Sequence, residues 1–488
     1  MEKVIALLFE NENIVASDSQ KKKFLEITVS KLDGIVDEIF YTGGKNDFNF
    51  SVNLLDFKYS SELLAFFEEK FPDSTILILN AYSPLFDLEE TKRMLFSHRK
   101  YFFDYTFSEN LPKGLLPEII ETSVFRFIRE AIPVNYPIFK ESIKELFERN
   151  ISSYDCNIHI TDSELLKYRI DFIPTNFTST HIIDNIINNN GFNLSIKDIE
   201  NLIENNPLLI RVKPSYYEVE LTTQRESGEM FISSRLNREG YIRIEDLKKI
   251  LFEISNFSLN PVVSLGLFGE PFLHPDIFDI IEEIKGYPEI NFIFESRALF
   301  NKLEPVVEAL KLQNVKVIFD ISFTGEENFK KYKSPLSALP VFKNLSQIEQ
   351  EIKSLPEKEK VYIQFTRSKI NENELLSFFE KWREFTDRII IKKLDTFCGL
   401  LDNMRVVDLS PVKRFFCYHL KNDFVIFYNG NVPLCREDYN GTFCMGNVLG
   451  ESISEIWKRM EEFYLKHFTG NYSPELCKKC DEWWIFNF

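Results

Sequence analysis

Residues 262–276 read VVSLGLFGEPFLHPD and indicate the architecture of the middle of the chain. Their apolar run, Val262–Phe268, predicts a buried strand, and the Gly-Glu-Pro that follows it is a turn signal. Isoleucines then recur at positions 277, 280, 281 and 284, which is the spacing of a helix with one buried face. A strand, a turn and a helix in this order make one β/α unit of a parallel sheet.

Similar units repeat on both sides of this stretch. Further strands are predicted at Tyr216–Leu221, Asn291–Phe294, Val315–Phe319, Tyr362–Phe365 and Ile389–Ile391, with helices between them. Repeated β/α units imply a parallel sheet that is either open or curled into a partial barrel. We expect this central domain to span residues 206–408.

The first part of the chain predicts a separate α/β domain. Val4–Phe9 and Thr75–Leu79 are continuous apolar runs, as expected for parallel strands that are covered on both faces. We expect a Rossmann-like domain over residues 1–135, followed by a helical connector over residues 136–205. Ligands of such folds bind where the strands end, so the loop Asn80–Asp87 after the second run is a candidate binding site.

Composition limits the function classes. A formal net charge of −17 argues against a generic nucleic-acid binder, because neutralising phosphates requires clustered Lys and Arg side chains. No apolar run reaches the roughly 20 residues that a membrane span needs, and residues 1–10 lack the features of a signal peptide. The expected compartment is the reducing cytoplasm, in which cysteines serve metal binding or redox chemistry rather than structural disulfides.

Four of the seven cysteines fall into two pairs in the last part of the chain: Cys417 with Cys435, and Cys477 with Cys480. Four thiolates suit a tetrahedral zinc site or an iron–sulfur cluster, and the residue types alone do not separate the two. Four free thiols are the remaining alternative. The pairs therefore predict a metal centre whose metal is left open.

Other cysteines and histidines lie close to these pairs in the sequence. Cys444 lies between the two pairs and could replace or supplement a ligand. Cys398 is predicted to be a packed cysteine. His419 and His467 have no CxxH-type spacing and are predicted to be surface or packing residues.

The turn after Val262–Phe268 resembles that of the radical S-adenosylmethionine (SAM) enzymes, in which a Gly-Gly-Glu-Pro-like turn contacts the methionine amino group. Gly269 and Glu270 match this turn, and Phe268 stands where a further glycine is common. The Leu-His-Pro-Asp that follows and the later Asp320–Glu327 are similar to segments of the same family. The resemblance implies a partial (β/α) barrel of radical SAM type, with Gly269 and Glu270 as cofactor-binding residues.

The thiolates that start radical chemistry in that family are missing. Its members carry CxxxCxxC after the first strand, and three thiolates there hold the cluster that binds SAM. The matching positions here are Glu226, Met230 and Ser233, and the motif occurs nowhere else in the chain. Because such clusters are held by thiolates, we expect no radical initiation, no catalytic residues and no SAM binding. Glu270 would then be a structural turn residue.

The last part of the chain resembles the SPASM/twitch modules that follow many radical SAM cores. Its paired cysteines and Gly430 match the module's Cys…Gly-x-x-x-x-Cys and CxxC, and residues 445–457, MGNVLGESISEIW, are characteristic of it. Phe424–Tyr428 is predicted to be one strand of a hairpin that turns at Gly430. The resemblance covers residues 411–482 of a predicted domain at 409–488. It implies one [4Fe–4S] cluster, with zinc as the alternative.

The N-terminal domain resembles the nucleotidyltransferases and A-type glycosyltransferases, whose matching strand ends in an Asp-x-Pro-Leu-type loop that helps to hold a metal–nucleotide. In this chain, Asn80–Ser83 lacks the acidic ligand, and His98 fits the family only loosely. The first strand leads into Glu10 and Glu12, which would repel phosphate, instead of a Gly-rich loop. The sequence predicts a domain that kept this fold and lost nucleotide transfer.

As a whole, the chain is similar to the spiro-SPASM proteins, which pair a SPASM tail with a radical-SAM-like centre. The leading hypothesis is a cluster- or metal-binding protein that makes no radicals and binds a peptide, protein or nucleotide-linked partner. A second hypothesis is a nucleotide-dependent transferase that acts through the N-terminal domain and uses Asp87. A third is an atypical radical SAM enzyme that modifies peptides. The sequence indicates neither the identity of the partner nor the oligomeric state.

Overall fold

The structure is a computed structural model that describes residues 3–10, 13–43, 52–136, 144, 147, 151–224, 236–298, 302–332, 345–407 and 410–485. It divides into two compact units, Met1–Val212 and Lys213–Phe488, which are described separately. No helix in these described ranges is long and apolar enough to cross a membrane. The finer domain boundaries given above remain predictions.

The first unit is built on a sheet whose strands are β1 (Val4–Phe9), β2 (Glu38–Tyr41), β3 (Asn53–Leu54), β4 (Thr75–Asn80), β5 (Tyr105–Phe107), β6 (Glu118–Glu121) and β7 (Cys156–Ile158). Their order is β3-β2-β1-β4-β6-β5-β7. The first four are parallel, and β6 is antiparallel to both of its neighbours. Every residue of β4 and all but the last of β1 are buried, which explains their continuous apolar sequences.

The helices of this unit are α1 (Asp18–Leu32), α2 (Ser60–Lys70), α3 (Leu88–Tyr101), α4 (Phe125–Ala131), α5 (Phe177–Asn190) and α6 (Ile196–Asn205). Strand β7 comes from the stretch that was predicted to be a helical connector, because Cys156–Ile158 pairs in parallel with β5. A short strand at a sheet edge has too few residues to produce a recognisable alternating pattern. The α/β character predicted for this part of the chain is confirmed.

The second unit contains a seven-stranded, wholly parallel sheet. Its strands are β8 (Tyr216–Val219), β9 (Val262–Leu265), β10 (Asn291–Ser296), β11 (Val315–Asp320), β12 (Val361–Arg367), β13 (Ile389–Lys393) and β14 (Asp423–Ile426). The order is β13-β12-β11-β10-β9-β8-β14. From β8 to β13 each strand lies beside the next one in the sequence, which is the order of a (β/α) barrel that is left open. The predicted fold class, α/β units with a cysteine-rich module after the central sheet, is confirmed.

Helices follow the strands of this sheet: α7 (Ile244–Phe257), α8 (Ile277–Ile284), α9 (Glu304–Leu310), α10 (Glu326–Tyr332), α11 (Leu345–Lys353) and α12 (Leu375–Arg383). The four isoleucines of α8 are all buried, as their spacing predicts. The C-terminal region adds α13 (Tyr418–Asn422), α14 (Ile453–Arg459), α15 (Glu461–Phe468), α16 (Glu475–Lys479) and the antiparallel pair β15 (Asn431–Pro433) and β16 (Cys444–Asn447). Ser452 and Glu455 form a capping box that starts α14.

Strand β14 corrects the predicted hairpin. The turn at Gly430 is present, with a φ of +82° and a hydrogen bond of 2.8 Å from its N–H to the carbonyl of Phe427. However, Asp423–Ile426 pairs in parallel with β8 in the large sheet, and β15 takes β16 as its partner. The C-terminal region is therefore joined to the central sheet by backbone hydrogen bonds.

Candidate metal centre and central cavity

The four paired cysteines are neighbours in the second unit. Cys417 precedes α13, Cys435 follows β15, Cys477 lies in α16 and Cys480 ends that helix. Cys417 and Cys477 are buried, whereas Cys435 and Cys480 are half-buried. The elements that carry them come from three separate parts of the C-terminal region, so the fold gathers the thiols at one place.

The four thiols influence one another's ionisation. Burial raises the pKa of Cys417 well above its ordinary value, and the neighbouring Cys480 and Cys477 raise it further. Burial likewise raises the pKa of Cys435, and the other three cysteines add to the effect. Thiols that disfavour one another's ionisation in this way would be relieved by a cation, because metal binding removes their protons.

The donor set fits a thiolate-bound metal centre. Iron–sulfur clusters and structural zinc both accept four cysteine sulfurs, and the structure brings four together. Among the described residues, no three His, Cys, Asp or Glu side chains already stand at the spacing of metal ligands.

Cys398 lies outside the two pairs and was predicted to be a packed cysteine, and it is buried. Its thiol is electrostatically coupled to that of Cys480. Its Sγ also lies 3.9 Å from Oε2 of Glu437. Cys398 lies in the loop that follows β13, on the side of the sheet where ligands of parallel sheets bind. Cys444, by contrast, is exposed on β16 and donates a 3.3 Å hydrogen bond to the carbonyl of Gly446.

His419 lies against this group of thiols and is buried rather than on the surface. Its Nδ1 is 2.6 Å from Oδ2 of Asp423, and its Nε2 is 3.1 Å from the carbonyl oxygen of Glu482. Burial alone would lower the pKa of His419, but the Asp423 carboxylate outweighs it and raises the pKa to about 9. The influence of the Cys398 thiol lowers the pKa of Cys480 to about 6, and His419 contributes to this shift. Cys480 is therefore the thiol that ionises most readily.

The ion pair of His419 predicts a pH dependence of stability. Its pKa lies above the ordinary value of about 6.5, so its stabilising effect is complete below pH 6.5 and is lost as the pH rises through 9. We expect the free energy of unfolding of the metal-free chain to fall by on the order of 2 kcal/mol over this range. In His419→Gln this fall should be much smaller.

Urea unfolding of metal-free protein at pH 6 and pH 9 measures this dependence. His467→Gln is the matched control, because burial lowers the pKa of His467 to about 4 and its ring is neutral at both pH values. An equal fall in wild-type protein and in His419→Gln would contradict the expectation.

The predicted cofactor-binding turn, Gly269 and Glu270, lies beside the end of β8. A Cβ atom on residue 269 would stand 1.7 Å from the carbonyl oxygen of Thr222, so only glycine allows this approach of two backbone segments. Glu270 is buried, and its Oε2 accepts a 2.9 Å hydrogen bond from the N–H of Arg297. Glu226, Met230 and Ser233 lie outside the described residues.

The close approach at Gly269 predicts a large loss of stability on substitution. We expect Gly269→Ala to lower the free energy of unfolding by about 3 kcal/mol, because two backbone segments must separate to admit the methyl group. Thermal and urea unfolding measure the change. Gly450→Ala is the matched control, since its Cβ would meet nothing closer than 3.9 Å. Equal stability of the two variants would contradict the geometry.

A cavity of about 130 Å³ opens at the carboxyl ends of the central strands. Charged side chains of both signs line it: Glu270, Glu295, Arg297, Asp320, Lys392 and Arg436. Glu295 accepts hydrogen bonds from Ser264 at 2.8 Å and from Tyr216 at 3.2 Å. Burial raises the pKa of Glu295, but the neighbouring Lys392 and Arg436 outweigh this effect and keep the pKa below its ordinary value.

The carboxyl end of β8 is filled by side chains. Arg238 forms an ion pair with Glu220, which is fully buried, and lies 3.7 Å above the ring of Phe427. Its Nη2 also donates a 3.0 Å hydrogen bond to the carbonyl of Tyr439. Phe268, at the position of a family glycine, packs against Phe427 with ring centroids 6.4 Å apart. The residues next to the expected cluster loop thus form an arginine–aromatic group instead of a thiolate site.

The comparison with known families concerns the cysteine-rich region. Residues 417–481 match the family model SPASM, which is described as an iron-sulfur cluster-binding domain. This segment is a SPASM domain. An uncharacterized protein of Treponema pallidum (strain Nichols) is 28% identical over 362 residues, which cover 71% of this chain and 98% of that protein.

Several solved structures are similar to parts of the chain. BtrN in complex with AdoMet and 2-DOIA is 19% identical, covers 55% of this chain and 92% of its own, and gives a TM-score of 0.39. Streptococcus suis SuiB bound to precursor peptide SuiA is 13% identical, with coverages of 69% and 78% and a TM-score of 0.41. A cytidylyltransferase from Leptospira borgpetersenii is 16% identical, with coverages of 43% and 97% and a TM-score of 0.36.

In the first unit, aromatic and acidic side chains occupy the ends of β1, β2 and β4. The hydroxyl of Tyr41 donates a 2.9 Å hydrogen bond to Oε2 of Glu10 and lies 3.4 Å from the hydroxyl of Tyr82. Lys21 forms an ion pair with the other oxygen of Glu10 at 3.4 Å. These groups bond to one another at the edge of the sheet where the sequence predicts a candidate binding loop.

Asp87 and His98, the family-like polar residues of this unit, have structural partners. Asp87 caps α3, and its two oxygens accept hydrogen bonds from the N–H groups of Glu90 at 3.0 Å and Ile196 at 2.8 Å. His98 is buried between Thr106 at 2.8 Å and Glu121 at 3.0 Å. The hydrogen bonds of both side chains thus stabilise the fold of the first unit, and no ligand is needed to explain their positions.

Proposed function

We propose that the chain is an iron–sulfur protein whose SPASM domain holds one [4Fe–4S] cluster through Cys417, Cys435, Cys477 and Cys480. The observation that carries this proposal is the mutual coupling of these four thiols within the segment that matches the cluster-binding family. A bound cluster would supply one-electron transfer. Zinc on the same four sulfurs is the alternative occupant.

The surroundings of the thiols support an anionic centre. The cation of His419 lies beside Cys480, and Nη1 of Arg414 donates a 3.4 Å hydrogen bond to the carbonyl of Cys480. Both positive groups favour the thiolate form of Cys480. The role of this chain's own residues is to collect the sulfurs, exclude water from Cys417 and Cys477, and offset the negative charge.

The central domain of the proposed protein does not initiate radical chemistry. Glu226, Met230 and Ser233 offer no thiolate, and an ion pair with aromatic rings occupies the neighbouring end of β8. The residues present therefore do not fit the family's core cluster. The cavity of about 130 Å³ is also smaller than the roughly 300–1,000 Å³ of sites that enclose small-molecule ligands. Both features support a protein that does not cleave SAM.

The cavity supports the binding of a peptide or protein partner. Its lining offers carboxylates and cationic groups within one small space, which suits a single polar side chain or a chain terminus. A cytoplasmic compartment, in which thiols stay reduced, is part of this proposal.

Metal analysis of protein purified without air tests the main proposal. We expect about four iron and four sulfide per chain, with a broad absorption band, after anaerobic reconstitution. If the protein contains one zinc and no sulfide per chain, the centre is structural and does not carry electrons. Formation of 5′-deoxyadenosine from SAM under strong reductant would overturn the assignment of the central domain.

A nucleotide-dependent transferase is the second candidate, and one observation favours it. The amide nitrogen of Asn80 and the hydroxyl of Ser83 are buried at the end of β4 without a hydrogen-bond partner among the described residues. These two atoms could form hydrogen bonds with a ligand. The hydrogen-bonded side chains of Glu10, Tyr41 and Tyr82 lie at the same edge of the sheet. Calorimetric titration with nucleoside triphosphates and Mg²⁺ tests the idea, and saturable micromolar binding that Asn80→Ala abolishes would promote it.

A further inference from the structure

Strand β13 forms an edge of the central sheet that no other described strand covers. The sheet order ends at β13, which pairs with β12 alone among the described strands. No residue of Ile389–Lys393 is buried, and Ile391 is 51% exposed. In every other strand of this sheet, by contrast, most residues are buried. The edge at β13 is therefore accessible to a further chain.

The register of β13 on β12 shows which backbone groups lie on the open edge. Ile363 of β12 pairs with Ile389, and its N–H donates a 3.0 Å hydrogen bond to the carbonyl of Arg388. In a parallel pair, a residue bonds to the two residues that flank its partner, so β12 bonds to the even-numbered residues of this segment. The N–H and C=O groups of Ile389 and Ile391 therefore point away from β12.

The features that usually protect a strand edge are missing at these two residues. Open edges are commonly blunted by proline, by a bulge or by charged side chains. The pairing of β13 with β12 has no register shift, and its first three residues are isoleucines, which favour extended backbone. Lys393 bonds to the carbonyl of Asp481 at 3.0 Å and pairs with Glu482 at 2.8 Å, while Lys392 lines the cavity. Both lysines thus serve other contacts.

We propose that the open edge of β13 binds an extended segment of the peptide or protein partner, which joins the central sheet as a further strand. This inference rests on the proposed function, since it gives the binding mode of that partner. The backbone groups of Ile389 and Ile391 would bond to the backbone of the peptide. The exposed side chain of Ile391 would contact an apolar side chain of the added strand.

The cations at the two ends of β13 indicate the chemistry of the peptide. Arg388 donates a 3.0 Å hydrogen bond to the hydroxyl of Tyr362, and Lys392 lines the cavity at the carboxyl end of the strand. Neither forms an ion pair with a carboxylate in the described part of the chain. A peptide strand along β13 ends beside this cavity, so an acidic side chain at that end would be attracted to Lys392. The occupant is therefore an extended, β-branched segment with an acidic residue at its cavity end.

A proline on the open edge tests the binding mode. The probe is a phage-displayed library of random short peptides, selected on the full-length reconstituted protein. We expect enrichment of β-branched sequences that carry Asp or Glu at one end. Ile391→Pro should weaken binding of the enriched peptide by at least about tenfold, because it removes an N–H on the open edge and leaves the bonds to β12 in place. Ile391→Val, which keeps this N–H, is the matched control and should weaken binding by no more than about threefold.

Lys392 gives a second, independent arm of the experiment. Lys392→Met should weaken binding of the acidic peptide and leave binding of its Asn or Gln analogue unchanged, because only the charged peptide gains from the ammonium group. An equal loss for both peptides would contradict the position given to the acidic residue.

Three results would overturn the added strand, and each has a different meaning for the proposed function. Equal binding by Ile391→Pro and by wild-type protein contradicts the binding mode but leaves partner binding in place. If no sequence is enriched, the peptide partner fails as well, whereas the iron content of the same protein tests the cluster separately. If light scattering finds a wild-type dimer that Ile391→Pro converts to a monomer, a second copy of the chain occupies the edge instead.

Hydrogen exchange gives a measurement that does not depend on the proline variant. If Ile391→Pro fails to fold, as circular dichroism would show, the wild-type protein is measured with and without the enriched peptide. The amides of Ile389 and Ile391 should exchange at least about tenfold more slowly when the peptide is bound, because the added strand accepts their hydrogen bonds. Unchanged exchange at both amides would contradict the proposal.

Discussion

Replacing Cys417 with serine is expected to lower the iron content of the reconstituted chain from about four atoms to fewer than one. Cys417 is buried, and Cys480 and Cys477 influence the pKa of its thiol, so its loss removes one of the four sulfurs of the proposed centre. A hydroxyl is a much poorer ligand for iron in such clusters than a thiolate. Iron and sulfide assays, together with loss of the visible absorption band, measure the effect.

The exposed cysteine on β16 is the control for this experiment. Cys444→Ser should leave iron and sulfide at wild-type levels, because its thiol bonds only locally, to the carbonyl of Gly446. Cys477→Ser should behave like Cys417→Ser. If Cys417→Ser keeps the iron content of the wild-type protein, Cys417 is not a ligand and the proposed set of four sulfurs is wrong.

The second large effect is expected at the buried ion pair between Arg436 and Glu218. The Arg436 Nη1 lies 2.7 Å from Oε1 of Glu218, whose side chain is 1% exposed. Arg436→Met leaves this carboxylate buried without its cation, so we expect the free energy of unfolding to fall by about 3–5 kcal/mol at pH 8. Urea unfolding followed by circular dichroism measures the loss.

Two further measurements separate charge from packing. Burial raises the pKa of Glu218 to about 6 even beside Arg436, and loss of the arginine raises it further, so the destabilisation should be smaller at pH 5 than at pH 8. Glu218→Gln in the Arg436→Met background should recover at least half of the loss. The exposed pair of Lys478 and Glu475 is the control, and Lys478→Ala should cost less than about 1 kcal/mol. A pH-independent loss in Arg436→Met would indicate packing instead.

Much of the fold was predictable because the decisive signals are local. The buried run Val262–Leu265, the isoleucines of α8 and the turn at Gly269 all follow from neighbouring residues. The choice of four cysteines likewise depended on short spacings. The pairing of β14 with β8 could not be predicted from neighbouring residues. All four residues of Asp423–Ile426 are buried, which is typical of a strand covered on both faces, but this burial does not identify the partner strand.

Cys398 and Glu437 could not be assigned in the same way. The contact of Cys398 with Glu437 joins positions that are far apart in the sequence, and it depends on a turn with two non-glycine residues at positive φ. Sequence patterns give no sign of such a turn, because these residues adopt it only under tertiary constraint. The side chains that fill the ends of β1 and β8 belong to segments that are distant in the sequence, so no local pattern identifies them.

The pairing of β14 with β8 has a consequence for how this protein is made. Strand β8 cannot have both of its edges hydrogen-bonded until a segment about 200 residues further along the chain has arrived. Such distant pairings slow folding and leave a strand edge open to other chains in the meantime. Truncated chains that end before Asp423 would leave that edge permanently exposed, so we expect them to aggregate. The SPASM domain thus supplies the outer strand of the central sheet as well as the paired cysteines.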